Sequence, residues 1–405
     1  MTIKKIDFAK LQYQYQLYKD EIDSAIHKVL DKSNYIMGEE ITQLEQSLQK
    51  FTGAKYAISC SSGTDALLLS LIALDIKPGD EIITTPFTFI ATAETIALLG
   101  AKPVFVDIDE KTYNIDPSKI EAAITAKTKA IIPVSLYGQP ADIDAIETVI
   151  KKVEGRRQKA EEKTPSTFNL QPSASIKIII DGAQSFGSTY NGICDSKLGD
   201  ISTTSFFPAK PLGCFGDGGA VFTNSEELAV KIEQLRVHGQ DKRYHHKYIG
   251  IGGRLDTIQA AVLNVKLKYY PKDLALRQKI AEKYTNVLRK KAEGRSQKEY
   301  EIVLPHIDKR SKSAFAQYSI RIKPSTFNLQ PSTSLRDDVQ ASLKDAGIPT
   351  AVHYPIPLHL QECFSYLGYK KGDFPISEKI SQDIMSLPMN PYLSDEEIQY
   401  ICNCL

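Results

Sequence analysis

Hydrophobic and polar positions alternate along the first two thirds of the chain in a way that predicts strands and helices following one another. Short apolar runs predict buried strands at 56–60, 81–85, 103–107, 130–134, 176–181 and 219–223. Apolar residues at helical spacing predict helices at 40–48, 66–74, 92–99 and 225–236. Strands that alternate with helices predict an α/β fold, in which helices cover both faces of a mostly parallel sheet.

A long helical pattern over residues 255–288 predicts the passage from this large unit to a smaller one. We expect Pro271 to interrupt and kink that helix, because proline lacks an amide donor. The predicted division is a large domain at 1–274 and a small α+β domain at 275–405. The small domain contains a strand-like run at 316–322 and a helical pattern at 337–346.

One nine-residue sequence, PSTFNLQPS, occurs twice, at 165–173 and at 324–332. Two copies cannot form a solenoid, which needs at least three stacked units. We interpret them as duplicated insertions, near 153–175 and 323–334, that loop out on the surface. A docking site for another protein is the alternative interpretation.

Composition is that of an ordinary globular protein with enough apolar residues for a core: 42% of the 405 residues are hydrophobic and 24% are charged. A formal net charge of +1 gives no reason to expect nucleic acid or an anionic membrane as a partner. The opening residues lack the apolar core of a signal peptide, and no apolar run is long enough to span a bilayer. Six cysteines without paired spacing indicate reduced thiols rather than disulfides or a metal site. We expect a cytoplasmic protein.

Lys210 stands in an unusual setting for a lysine, among the aromatic, proline and glycine residues of 205–220. Apolar neighbours disfavour the charged ammonium and lower the pKa of a lysine. A lysine that is neutral near pH 7 is able to form a Schiff base with a carbonyl. Pro208 and Pro211 fix two φ angles and stiffen the backbone on either side. The alternative, a solvated lysine on a loop, does not explain these neighbours.

Ser62, Gly63 and Thr64 follow the first predicted strand and open an apolar helix. The free amides and the positive end of the dipole at such a helix start attract phosphate. A purely structural N-cap is the alternative. Asp181 ends the buried isoleucine strand, where a carboxylate needs a cation or a strong donor, although it could also cap the next turn.

Together these residues predict a binding site for pyridoxal 5'-phosphate. A helix start would take the phosphate, Asp181 would pair with the pyridine nitrogen, and Lys210 would hold the cofactor and then act as general base and acid. Phe89 is a candidate to cover the flat ring. The predicted cofactor-binding residues are Ser62, Gly63, Thr64, Phe89, Asp181, Gln184, Ser205 and Lys210.

Four stretches resemble the DegT/DnrJ/EryC1/StrS family of sugar-nucleotide aminotransferases, and the resemblance covers nearly the whole chain outside the insertions. They are 62–67, 86–89, 181–187 and 205–220. The resemblance implies a fold-type I pyridoxal phosphate enzyme whose large domain has a mostly parallel, mixed sheet. It also implies the roles given above, with Ser205 as a phosphate-binding serine and Gln184 beside Asp181. The lysine distinguishes this chain from the sugar dehydratases of the same fold, which carry histidine there.

Two further stretches, 236–246 and 351–358, resemble those of family members that aminate a UDP-linked 3-oxo uronic acid. This likeness implies that Arg254, His353 and Tyr354 line the acceptor pocket. An arginine fork can pair with a uronate carboxylate, although a structural salt bridge is an equal alternative for this residue. The family further implies L-glutamate as amino donor and a homodimer with its active sites at the subunit interface.

The chain departs from the family at Gly252, where other members carry an asparagine that reaches the cofactor phosphate of the neighbouring subunit. Two other functions therefore stay open. One is an aminotransferase for dTDP-3-oxo or 4-oxo hexoses. The other is an inactive aminotransferase scaffold with a regulatory or binding role, against which the intact Lys210 and Asp181 argue.

Overall fold

The computed structural model describes residues 6–163, 175–293, 300–324 and 335–405. The α-helices of this part are α1 (Leu11–Leu17), α2 (Lys19–Lys32), α3 (Glu39–Thr52), α4 (Gly63–Ala73), α5 (Ala91–Leu98), α6 (Pro117–Ala123), α7 (Ile143–Lys163), α8 (Glu226–Leu235), α9 (Thr257–Glu293), α10 (Leu335–Asp345), α11 (Pro375–Asp383) and α12 (Asp395–Cys404). The strands are β1 (Tyr56–Cys60), β2 (Glu81–Thr84), β3 (Lys102–Phe105), β4 (Thr128–Ile131), β5 (Lys177–Asp181), β6 (Thr189–Tyr190), β7 (Ile193–Cys194), β8 (Ile201–Ser205), β9 (Gly219–Thr223), β10 (Gln240–Lys242), β11 (His245–His246), β12 (Tyr300–Val303), β13 (Ser311–Lys312), β14 (Tyr318–Pro324) and β15 (Ile384–Leu387).

A seven-stranded sheet with the order β1-β9-β8-β5-β4-β2-β3 organises the larger part of the molecule. Every neighbouring pair between β8 and β3 is parallel. Strand β9 is antiparallel to both of its neighbours, β1 and β8. The predicted α/β fold with a mostly parallel, mixed sheet is therefore confirmed.

The isoleucine run of β5 is buried because helices cover both faces of the sheet. Helix α4 packs on one face, and its apolar residues are buried all round, as in a helix enclosed by protein. Helices α6 and α7 pack together with β4 and β5 in a separate apolar cluster. These layers fix the strand ends from which the candidate site is built.

A second, antiparallel sheet with the order β12-β14-β15 lies in the C-terminal part of the chain. Its core gathers residues from Ile280 to Leu405, together with Ile6 from the N-terminal end of the described chain. Helix α9 contributes to this core and also to the core of the large unit. The division at residue 274 falls inside this helix and stays a prediction.

Helix α9 continues through Pro271 as a single element, so the predicted interruption is wrong. Proline inside a helix loses one hydrogen bond and typically costs about 3 kcal/mol. Tertiary contacts on both sides of Pro271 offset this loss. Tyr270 hydrogen bonds to the carbonyl of Phe186, and Arg277 donates to the carbonyl of Phe315 at 3.1 Å.

The first residues of both predicted insertions are in regular secondary structure rather than in surface loops. Helix α7 occupies 143–163, and Glu154 Oε1 accepts a 2.8 Å hydrogen bond from the amide of Ile176. Lys323 and Pro324 extend strand β14 and pair with Glu301 and Tyr300. Helix and ladder hydrogen bonds therefore continue past the positions where surface loops were expected. Apart from Pro324, the two PSTFNLQPS copies lie outside the described residues, and their interpretation stays a prediction.

Across the described ranges, no helix combines the length and the apolar content that a membrane span requires.

Candidate active site

The predicted site residues meet at one edge of the central sheet. Strands β1, β5 and β8 end at this edge, whereas β9, which runs the other way, begins there. Gly219 is paired with Cys60 on one side and with Ser205 on the other. Asp181 is paired with Thr203, two residues before Ser205. Ligands in open α/β sheets bind outside the carboxyl ends of the parallel strands, so this edge is the expected place for a site.

The start of helix α4 lies against the end of β8. Ser62 is the N-cap, and its hydroxyl accepts a 3.0 Å hydrogen bond from the amide of Asp65. The structural reading of Ser62 is thus correct, and it leaves the first-turn amides at Gly63 and Thr64 to face a ligand, since such amides have no partner within the helix. A side chain at Gly63 would meet Ser205 Cβ at 2.7 Å, which shows how closely the two segments approach.

We expect Gly63→Ala to weaken cofactor binding by about ten- to a hundredfold, because the new methyl group forces the helix start away from Ser205, and such overpacking costs about 1–3 kcal/mol. Titration of cofactor-free protein with pyridoxal phosphate measures this effect. Gly155→Ala, in helix α7 with nothing within 4 Å of the added carbon, is the matched control. Parent-like affinity of the Gly63 variant would show that the helix start does not take the phosphate.

Asp181 is buried at the carboxyl end of β5, with 5% of its surface exposed. Its Oδ2 accepts a 2.7 Å hydrogen bond from the hydroxyl of Thr92, and its Oδ1 accepts one of 3.2 Å from the amide of Ala183. Burial raises the pKa of the Asp181 carboxyl, while these two donors and the nearby Lys210 oppose the rise. A carboxylate held in this way is suited to a cationic partner such as a protonated ring nitrogen.

Lys210 lies on the loop that joins β8 to β9. Phe206 and Cys214 close the base of this loop, since the amide of Cys214 donates to the carbonyl of Phe206 at 2.8 Å. The amide of Lys210 itself donates to the carbonyl of Phe207 at 2.9 Å. Burial of its ammonium lowers the pKa of Lys210, and Asp181 acts in the opposite direction. The structure thus brings a lysine amine and a buried carboxylate into one electrostatic environment.

Gln184 connects this pair to the C-terminal part of the chain. Its Oε1 accepts a 2.7 Å hydrogen bond from the amide of Tyr137, and its Nε2 donates to the Tyr354 hydroxyl at 3.0 Å. Burial raises the pKa of Tyr354, with Asp181 adding to the effect, so the phenol stays protonated. Because its oxygen accepts from Gln184, the Tyr354 hydroxyl keeps its own proton for donation to a ligand.

His353 and Phe89 complete the same side of the site. Burial lowers the pKa of His353 to about 4, and the charge of Lys210 contributes, so the imidazole is neutral at pH 7. Its Nδ1 lies 3.0 Å from the hydroxyl of Ser386. Phe89 is 56% exposed and its ring centroid lies 6.2 Å from that of Tyr354, whereas Phe87 is buried in the core. Of the two phenylalanines, Phe89 is therefore the one free to cover a ligand.

Arg254 and Gly252 lie elsewhere, beside the start of α4. The carbonyl of Gly253 accepts a 3.0 Å hydrogen bond from the amide of Ser61. Arg254 is half-buried, and its Nε has no hydrogen-bond partner among the described residues. A side chain at Gly252 would meet the His238 ring at 3.0 Å. The contacts of this segment are thus with Ser61, beside the start of α4, and with His238.

The sequence-based prediction missed three residues of the site. Thr92 binds the Asp181 carboxylate, and Tyr137 positions Gln184 through its backbone amide. Asp195 is buried behind the turn that follows Asp181, where it accepts a hydrogen bond from Ser185. Burial raises the pKa of Asp195 to about 6. Only Thr92 left a signal in the sequence, as a hydroxyl in the first turn of a predicted helix.

The donor set fits pyridoxal phosphate. Gly63 lets the start of α4 approach Ser205 closely, and Asp181 and Lys210 supply a buried carboxylate and an amine at the same sheet edge. In the described part of the chain, no three His, Cys, Asp or Glu side chains cluster as a metal site would require. The arrangement is that of a site for a phosphorylated aldehyde.

Comparison with known proteins agrees with this geometry. Residues 16–154 and 167–405 match the DegT/DnrJ/EryC1/StrS aminotransferase family. The chain belongs to this family and is a pyridoxal phosphate-dependent sugar aminotransferase.

Individual relatives show which members of the family this chain resembles. The chain is 48% identical over 400 residues, covering 99% of both chains, to the UDP-2-acetamido-2-deoxy-3-oxo-D-glucuronate aminotransferase of Pseudomonas aeruginosa. It is 42% identical, over 99% of its own length and 97% of the other, to the pleiotropic regulatory protein of Geobacillus stearothermophilus. Its fold matches that of S. venezuelae DesV in complex with a ketimine intermediate, with a TM-score of 0.87, 31% identity, and 99% and 98% of the two chains covered.

Proposed function

We propose that this enzyme transfers the amino group of L-glutamate to the 3-oxo group of UDP-2-acetamido-2-deoxy-3-oxo-D-glucuronate. The product would be a 3-amino sugar nucleotide for cell-surface polysaccharide or lipopolysaccharide biosynthesis in the cytoplasm. The observation that carries the proposal is the buried Asp181 carboxylate, electrostatically coupled to the half-buried Lys210 at the sheet edge, in a chain 48% identical to an enzyme named for that substrate.

Each residue of the site has a separate task in this proposal. The amides of Gly63 and Thr64, with Ser205, hold the phosphate at the positive end of helix α4. Asp181, oriented by Thr92, would pair with the pyridine nitrogen and keep it protonated, and the exposed Phe89 would cover the ring. Bound in this way, the cofactor supplies an electron sink for the carbon that loses a proton.

Lys210 performs the proton transfers. Burial lowers the pKa of its amine, which favours the neutral, basic form that proton transfer requires. Its Nζ would accept and later donate the proton that is moved during transamination, with the stiff loop setting its reach. Asp181 stabilises the protonated form of Lys210, which keeps both directions of this transfer accessible.

His353 and Tyr354 would contact the acceptor sugar. The neutral imidazole of His353 can donate or accept a hydrogen bond, and Tyr354 has a proton to donate because its oxygen is already bound by Gln184. Both side chains are half-buried, so their hydrogen bonds to a sugar oxygen face less competition from solvent than at an exposed position.

We further propose a homodimer in which the segment containing Arg254 serves the neighbouring subunit's site. An exposed apolar group adjoins this segment: Tyr35, Ile36 and Met37 are each more than 40% exposed. Ile36 forms a bridge with Asp256, two residues after Arg254. Exposed apolar groups of this kind mark interfaces between proteins, and the dimer would give the Arg254 guanidinium a ligand.

We expect Arg254→Ala to reduce the use of the 3-oxo uronate by about ten- to a hundredfold more than the use of the corresponding neutral hexose. A charge-assisted hydrogen bond to the carboxylate is worth about 1.5–3 kcal/mol, and a neutral sugar lacks this partner. The measurement is kcat/KM on both acceptors with saturating glutamate. Arg156→Ala, an exposed arginine paired with Glu121 on the far side of the sheet, is the control.

Equal losses on the two acceptors would show that Arg254 is structural and would remove the charge-based support for a uronate. The proposal would then give way to an aminotransferase for dTDP-3-oxo or 4-oxo hexoses, which a panel of keto-sugar nucleotides identifies directly.

A further inference from the structure

A largely buried polar stripe on helix α9 contacts, through its first three members, segments that adjoin the site. Its members recur at spacings of three, four and seven residues, which places them on one side of the helix: Gln259, Lys266, Tyr270, Asp273 and Arg277. Tyr270 binds the carbonyl of Phe186, close to Gln184. Polar residues buried in a helix face are costly unless each has a partner, so their targets indicate what the stripe holds in place.

Two members of the stripe bind the loop that carries Lys210. Gln259 Oε1 accepts a 2.8 Å hydrogen bond from the amide of Phe215. Lys266 donates from its ammonium to the carbonyl of Gly213, three residues after Lys210. The same ammonium lies 5.5 Å from the centroid of the Phe215 ring. The C-terminal half of the lysine loop is therefore fastened to α9 at two points.

Burying the ammonium of Lys266 costs desolvation free energy that a purely structural contact would not require. Lys266 is 4% exposed, and burial lowers its pKa to about 8, with Cys214 and Asp273 acting in the opposite direction and Arg277 adding to the fall. No carboxylate lies within ion-pair distance of Lys266 among the described residues. An apolar side chain of similar length would avoid this desolvation. A lysine at position 266 is explained if the carbonyl of Gly213 must be held by a donor on a long side chain.

We propose that Lys266 is a positioning residue for the amine of Lys210. By donating to the carbonyl of Gly213, Lys266 fixes the C-terminal half of the loop. It thereby fixes the backbone position from which the Lys210 side chain extends. This inference rests on the catalytic role proposed above for Lys210. It goes beyond that role by assigning a task to a second lysine that lies in the core and does not contact the substrate.

The test compares the parent enzyme with Lys266→Met, which is unbranched and only one heavy atom shorter and which removes the donor. We expect kcat to fall by about ten- to a hundredfold with KM for the acceptor nearly unchanged, since small misplacements of a reacting group have effects of this size. In cofactor-free protein, an amine-specific reagent followed by peptide mapping should label Lys210 faster in the variant, because its loop opens to solvent. Lys266→Arg, which keeps a cationic donor, should restore part of kcat and slow the labelling of Lys210 again.

Lys268→Met is the matched control, because Lys268 lies two residues away on the exposed side of α9 and pairs with Glu21. A folded Lys266→Met variant with parent-like kcat and parent-like labelling of Lys210 would overturn the inference. If the methionine variant does not fold, Lys266→Gln and Lys266→Ala are measured instead. Failure of all three to fold would also overturn it, since the ammonium would then serve the fold as a whole.

Lys210→Ala, measured in parallel, separates this inference from the proposed function. Activity that survives in Lys210→Ala would contradict the catalytic role of Lys210 itself. An inactive Lys210→Ala together with an unaffected Lys266→Met would contradict only the role of Lys266.

Discussion

Lys210→Ala is expected to abolish transamination and covalent attachment of the cofactor while leaving the protein folded. The chemistry requires an amine at this position, and alanine has none. The fold should persist because the loop is held by contacts that do not involve the lysine side chain, among them Cys214 to Phe206 and Gln259 to Phe215. Borohydride reduction of the loaded enzyme followed by peptide mapping measures attachment, and thermal melting measures the fold.

Lys210→Arg sharpens this test, because arginine keeps the positive charge beside Asp181 but stays protonated at every working pH. We expect it to be as inactive as the alanine variant. Label recovered on any lysine other than Lys210 in the parent enzyme would contradict the assignment.

Asp181→Asn is expected to retain cofactor but to lose about a hundredfold or more in kcat, in line with the loss of a charge-assisted hydrogen bond in the reacting state. An amide is nearly the same size as the carboxylate and can still bind Thr92, so the site should keep its shape. It cannot keep a pyridine nitrogen protonated, because it carries no negative charge. Single-turnover absorbance changes with glutamate measure the lost step, and cofactor stoichiometry confirms that the site is filled.

Thr92→Val provides a graded comparison, since it removes one donor to Asp181 and leaves the carboxylate. We expect a loss of about five- to tenfold, as for one ordinary hydrogen bond of about 1 kcal/mol or slightly more. Turnover of Asp181→Asn equal to that of the parent, with cofactor bound stoichiometrically, would exclude the proposed role of the carboxylate.

Most of the strand ends in the site could be predicted from the local sequence. The isoleucine run before Asp181 and the serine cap before helix α4 both follow from rules that act over a few residues, and both appear in the structure. The apolar surroundings of Lys210 likewise pointed to a lysine with a lowered pKa.

Contacts between distant segments could not be read in this way. Thr92 reaches Asp181 across 89 positions, and Tyr354 reaches Gln184 across 170. Arg254 was grouped with His353 and Tyr354 by resemblance alone, whereas its backbone neighbour Gly253 binds Ser61. Pro271 was expected to interrupt α9 because local propensity does not include the tertiary contacts that hold both halves of the helix.

The reversed direction of strand β9 limits how far the amine of Lys210 can move. Parallel neighbours need a crossover of a dozen or more residues that returns from the opposite edge of the sheet. Because β9 is antiparallel to β8, residues 206–218 instead leave and re-enter the sheet at adjacent points, with Ser205 paired to Gly219. The loop that carries Lys210 is thus held at both ends by the same edge of the sheet, and it cannot move away from that edge without breaking the pairing of β8 with β9.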